Sequence, residues 1–248
     1  MKKICIIFFL FFFVFSAWAQ KFDIGAFGMG NTTWLLNKNV NNDGDEQDPE
    51  FTFVFNYGVN TAFFVSENFG FELDAIFGNF SQKYNGRVQV LGSDQVYESR
   101  VDMKTMQLPF LLKFGSDATF ELGVQYTKIN SVTYHNDNNS AQLPYVFYTP
   151  YGMNGEIIDV SDEYGNSFFS FVIGFGGNVP ITDQLLINTG IRFAYSLSDV
   201  KGLDGFGNPL KNPDDLIYNS TFGMYDKYEK TNTAHAGFRL GLTYRFEN

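Results

Sequence analysis

The chain of 248 residues sets 27 acidic against 17 basic side chains, a formal net charge of −10, which argues against nucleic acid as a partner. After the N-terminus no stretch approaches about eighteen consecutive apolar residues, so spanning helices are excluded and only a wall of strands could cross a bilayer. The mean hydropathy of −0.14 resembles that of a soluble protein, but strands that alternate apolar with polar residues average their apolar face away.

The N-terminus is the first element. Lys2 and Lys3 precede the apolar run 4–15, and Ala17-Trp18-Ala19 stands before Gln20. A charged start, a short apolar core and a small-x-small end make a secretory leader, and about twelve apolar residues are too few to anchor a helix. The expectation is a signal peptide at 1–19, cleaved to leave a mature chain of 20–248. The one cysteine, Cys5, departs with the leader, so no disulfide or thiol chemistry remains. Losing Lys2 and Lys3 leaves 15 basic against 27 acidic residues, a mature net charge of −12.

From Gln20 onward the chain alternates with a period of two. The first strand, 22–30, leads into a polar segment, 37–50. The second, 51–65, sets Phe51, Phe53, Phe55, Tyr57, Val59 and Phe63 against Thr52, Asn56, Gly58 and Asn60, and Ser66-Glu67-Asn68 turns it. The third sets Phe71, Leu73, Ala75 and Phe77 against Glu72, Asp74 and Gly78 and runs out near Asn85-Gly86; the fourth returns only at Met106, with Leu108, Phe110, Leu112 and Phe114 opposite Gln107, Pro109 and Lys113. After the turn Gly115-Ser116-Asp117, the fifth shows Phe120, Leu122, Val124 and Tyr126 against Glu121, Gly123 and Gln125, and a long excursion fills 135–166. The sixth sets Phe169, Phe171, Ile173, Phe175 and Val179 against Ser170, Gly174, Gly176 and Asn178 before the turn Thr182-Asp183-Gln184. The seventh sets Leu185, Ile187, Ile191, Phe193, Tyr195 and Leu197 against Asn188, Gly190, Arg192 and Ser196, and 200–233 is the last excursion. The closing strand, 234–246, puts seven apolar or aromatic residues on its even positions and His235, Arg239 and Arg245 among its odd ones.

Eight strands joined alternately by three short turns and four long connections predict an all-β fold: an eight-stranded antiparallel up-and-down transmembrane barrel in the outer membrane, with short periplasmic turns and four long extracellular loops. A soluble barrel of lipocalin type also alternates. It keeps its apolar face inward, and the aromatic strand ends, the Gly-rich polar face and the loop asymmetry favour the membrane.

The run Thr105-Met106-Gln107-Leu108-Pro109-Phe110-Leu111-Leu112-Lys113-Phe114 resembles the fourth-strand signature of the small outer-membrane β-barrel family that includes PorT-like and OmpX-like proteins. Phe22-Asp23-Ile24-Gly25 with Gly28 and Gly30 is similar to that family's first strand. The resemblance spans most of the mature chain and implies the same barrel in a Gram-negative envelope. It implies no single activity, since some relatives assist protein secretion.

By parity, Asp23, Glu72, Asp74 and Glu121 face inward with Lys113, Arg192, Arg239 and Arg245. An eight-stranded interior is just wide enough for side chains to fill, and confined charges must be paired. The balance points to ion pairs filling the lumen; a charge-lined ion pathway is the alternative. Lys113 and Glu121 flank one turn, and Arg245 is expected at that level.

In the first loop Asn39, Asn41, Asp43, Asp45, Gln47 and Glu50 fall at positions one, three, five, seven, nine and twelve of an EF-hand spacing, with Gly44 at six. A solvated acidic loop is the plainer reading, because no helices flank it, so calcium is a weak candidate and no other cofactor is expected. His135 near Asp137 is the one hint of a rim hydrolase, and the expectation is that the protein is not an enzyme. Tyr145, Phe147, Tyr148 and Tyr151 in the third loop, with Tyr218, Phe222 and Tyr225 in the fourth, suit contact surfaces. The partners expected are outer-membrane lipid, lipopolysaccharide and other envelope proteins. The first reading is a structural or interaction scaffold acting through its loops, and the second a small transport or secretion-accessory barrel.

Overall fold

The computed structural model describes residues 21–38, 40, 48–90, 93–115, 118–137, 157–201, 217–219, 224–226 and 230–247. The expected leader and most of the polar first loop lie outside these residues. In chain order the strands are β1 (Lys21–Asn37), β2 (Asp48–Glu50), β3 (Thr52–Ser66), β4 (Phe69–Val90), β5 (Ser93–Phe114), β6 (Ala118–Asp137), β7 (Ile157–Asp159), β8 (Ser167–Pro180), β9 (Leu185–Ser196), β10 (Ile217–Asn219), β11 (Met224–Asp226) and β12 (Thr231–Glu247).

Eight of them form a closed antiparallel ring, β1-β3-β4-β5-β6-β8-β9-β12, sealed where β1 pairs with β12 from Lys21↔Glu247 to Asn37↔Thr231. Closure leaves no open edge, the condition for a sheet to stand in hydrocarbon. The short turns and the two ends of the ring share one rim, which is the periplasmic rim of such a barrel. Gly115 turns there with φ 98°, a left-handed conformation that suits glycine.

Facing follows the two-residue period. On β3, Phe53 and Phe55 are each 65% exposed outward while Asn56 and Asn60 are each 3% exposed inward. Two outward glycines on β1 make room for those rings: a Cβ at Gly28 would come within 2.8 Å of Phe55 Cζ, and one at Gly30 within 2.7 Å of Phe53 Cζ. Aromatic contacts run along the periplasmic rim, from Tyr244–Phe246 and Phe22–Phe246 to Phe114–Phe120 and Phe120–Phe175.

The sequence reading of the second long connection is corrected. Residues 87–105 are mostly strand, because β4 and β5 are 22 residues each and stay paired out to Val90↔Ser93. A tilted strand needs only about 9–11 residues to span, so both project well beyond the bilayer. In that projection the polarity turns over. Lys83, Arg87, Glu98 and Lys104 face outward and are exposed, while Phe80, Tyr84, Val101 and Met103 face inward and are buried. A register shift between Lys104 and Thr105 opposite β6 brings Val132 and Tyr134 into the same inner layer as Ile129.

Candidate functional site

Two layers of different chemistry fill the ring. The inner layer gathers six charges from five strands around Arg192 on β9. Arg192 Nε donates to Glu121 Oε2 at 2.7 Å, Nη2 to Glu72 Oε1 at 2.6 Å, and Nη1 to Asp74. Lys113 Nζ donates to Glu72 Oε2 at 2.6 Å and lies 3.4 Å from Glu121 Oε1. Arg239 Nη1 donates to Glu72 Oε1 at 2.6 Å, and its guanidinium stacks 3.9 Å from the ring centroid of Phe27. Three carboxylates thus meet three cations, each residue at most 5% exposed. Asp23 and Arg245 form a separate bidentate pair, with both distances 2.9 Å, so Arg245 is not part of the six-residue group.

The period of two is what lets five strands converge, because each side chain sits on its strand's inward parity. Small inward residues leave the space: Gly174 lies in register between Glu121 and Arg192, where a Cβ would meet Glu121 Oε2 at 2.8 Å.

The second layer lies toward the opposite rim and was not legible from the apolar outward faces. Leu35, Phe80, Tyr84, Val101, Met103, Ile129, Val132, Tyr134 and Phe168 pack inside the ring with Val160, Tyr164 and Val200 from the connections above it. The segment after β7 is tied down by backbone bonds: Val160 N–H to Val132 O at 3.0 Å, Gly165 N–H to Val200 O at 2.9 Å, and Ile129 N–H to Asn166 O at 2.8 Å. Burial pushes the Tyr164 hydroxyl above the usual phenol range. Gln82, fully buried in this layer, accepts from Leu35 N–H at 3.1 Å and donates to Glu50 O at 2.9 Å. The opposite-phase alternation Phe80-x-x-x-Tyr84 and Val101-x-Met103 was the sequence signal for it.

On the outward face His135 Nε2 lies 3.3 Å from Asp102 Oδ2; the side chain of Asp137 is not among those described. Asp102 also accepts from Arg100 and, at 2.5 Å, from Ser81 Oγ. The carboxylate therefore stands between the hydroxyl and the imidazole, whereas a serine nucleophile needs the imidazole in the middle.

Of the first-loop candidates, Asn39, Asn41, Asp43, Asp45 and Gln47 lie outside the described residues; Glu50 sits on β2, where Asn85 donates to its carboxylate. Among the described residues no group of three or more His, Cys, Asp or Glu is placed to hold a metal. Tyr145, Phe147, Tyr148, Tyr151 and Phe222 also lie outside them, while Tyr218 and Tyr225 are register partners in the β10–β11 hairpin.

A closed ring with an apolar outward band and sequestered charges is built for lipid, and as a strand-built wall it belongs to the outer membrane. From Phe114 to Met106 the outward face of β5 rises about 20 Å at a tilt near 40°, close to the ~25 Å band of such barrels. No family model matches the chain, and no curated protein matches its sequence. Solved structures of similar fold include the outer membrane protein OprG from Pseudomonas aeruginosa, 12% identical, covering 93% of this chain and 97% of that one at a TM-score of 0.44. Neisserial surface protein A is 9% identical over 91% and 97% at 0.39, and Ail, the attachment invasion locus protein of Yersinia pestis, 7% over 92% and 99% at 0.38. Likeness this slight carries no argument about what the chain binds or does.

Proposed function

We propose that this barrel is an outer-membrane scaffold that conducts no solute and presents its outer projection and loops to envelope partners. The observation that carries the reading is the double filling of the ring. Six paired charges occupy one layer and an apolar cluster capped by Val160, Tyr164 and Val200 occupies the next. An eight-stranded interior leaves little room beyond its own side chains, and a rigid frame holding variable connections is a common way to build a contact face. The aromatic connections 138–156 and 202–229 are the parts of the chain long enough to supply that face. Calcium in the first loop and a PorT-like part in secretion remain proposals resting on motif and resemblance.

Two measurements test this. The mature protein in planar bilayers should give no steady conductance; stable large channels would establish the transport reading instead. Shortening 138–156 and 202–229 to tight turns should leave a folded, inserted barrel that recovers fewer partners in pull-downs from native membranes. Recovery of the same partners at the same yield would move the contact to the periplasmic turns or the wall and favour a secretion accessory.

A further inference from the structure

The outward faces of β4, β5 and β6 change chemistry along one line. On the bilayer side stand Phe77, Met106 and Tyr126; two residues further out stand Asn79, Lys104 and Lys128. Lys104 lies in register between Asn79 and Ser131, and Lys128 lies opposite Met106, which puts the two lysines on a diagonal with Cα atoms about 7–8 Å apart. Further out, Lys83 stands directly opposite Arg100. Like charges so placed repel one another.

Among the described residues two carboxylates stand near this line, and each is held by other groups. Asp102 is engaged by Arg100, His135 and Ser81, and Glu50, in register with Lys83, is engaged by Asn85. Lys104 and Lys128, both exposed, make no ion pair among the described residues. In a chain of net charge −10, two unneutralised lysines near one another at the edge of the apolar band form a local site of attraction for an anion, and the anions that stand at that depth are lipid phosphates.

We propose that this line binds an outer-leaflet phosphorylated glycolipid. Its phosphate bridges Lys104 and Lys128, its acyl chains lie along Met106, Leu108 and Tyr126, and its sugars extend past Lys83 and Arg100. The inference rests on the outer-membrane reading above and gives one of the partners expected from the sequence a site on the wall.

The test titrates the full mature protein, in detergent with EDTA, with purified lipopolysaccharide, with the same glycolipid after phosphate removal, and with inorganic phosphate. Native mass spectrometry reads binding, and heat-modifiable gel mobility independently reads the folded barrel. The intact glycolipid should bind, and Lys104→Ala with Lys128→Ala should weaken it about tenfold or more, as loss of charge-assisted contacts implies. Lys104→Arg with Lys128→Arg should retain binding, and Lys38→Ala with Lys230→Ala, elsewhere on the outer rim, should not change it. Equal binding by the alanine pair, equal binding of the dephosphorylated glycolipid, or equal occupancy by inorganic phosphate would each overturn the site. None of these touches the barrel reading, which fails only if the unmodified protein shows no heat-modifiable form.

Discussion

Two stretches of β5 follow the same backbone and obey opposite rules. Residues 106–114 turn Met106, Leu108, Phe110, Leu112 and Phe114 outward and Gln107 and Lys113 inward, whereas residues 98–104 turn Glu98, Arg100, Asp102 and Lys104 outward and Val101 and Met103 inward. The solvent accounts for the difference. In lipid there is no hydrophobic drive to gather apolar side chains, so the interior is where polar groups find partners. In water the hydrophobic effect acts again, and the interior becomes an ordinary apolar core. The same ring is thus a membrane protein at one end and a soluble barrel at the other.

The largest expected effect breaks the inner layer of the membrane section. Arg192→Ala leaves Glu72, Asp74 and Glu121 short of the guanidinium that holds all three. Removing one partner from a buried group of charges costs about 3–5 kcal/mol, and urea unfolding in lipid vesicles should record a loss of that size. A loss below about 1 kcal/mol would mean that these charges are hydrated and the lumen open, as at a surface pair.

The counterpart in the outer section is Met103→Ala. Met103 is fully buried among Phe80, Val132 and their neighbours, and truncating such a residue costs about 2–5 kcal/mol. The same vesicle unfolding assay, with proteolysis from outside as a second readout, should show the projection loosened while the membrane section stays inserted. An unchanged protease pattern would mean that the outer core is not packed.

Next is the wall. Phe171→Arg or Ile191→Arg, both outward and about half exposed, should cost about 2–4 kcal/mol near the midplane and reduce the heat-modifiable fraction. The smallest effect sharpens the contrast: Thr133→Arg, outward on β6 beyond the line of inversion, should stay within about 0.5 kcal/mol. Equal sensitivity at Phe171 and Thr133 would erase the difference between the two sections.

The membrane section was legible because one phase of alternation persists through it, as in Phe71, Leu73, Ala75 and Phe77 against Glu72 and Asp74. The outer section is hidden from the sequence because the apolar outward face that marks a strand ends at Phe77 on β4 and begins at Met106 on β5. Beyond those points the phase inverts, and on β6 the register shift near Asn130 changes parity again. The alternation therefore predicts a loop where β4 and β5 remain paired. For the charged layer, parity puts the eight residues on one face, but the choice of partners depends on which strands lie side by side and which meet across the lumen. Arg192 reaches carboxylates on β4 and β6, and Arg245 pairs with Asp23 on the adjoining β1. Nothing in the spacing along one strand carries that information.

Everything here turns on where the solvent changes, and that boundary can be located directly. Cys5 is the one cysteine and belongs to the expected leader, so single cysteines can be placed at the outward positions Phe110, Leu108, Met106, Lys104, Asp102 and Arg100 and spin-labelled in lipid vesicles. Comparing relaxation by oxygen, which concentrates in hydrocarbon, with relaxation by a water-soluble nickel chelate should show one abrupt change between Met106 and Lys104. Labels that meet only water at all six positions, or only lipid, would contradict the account.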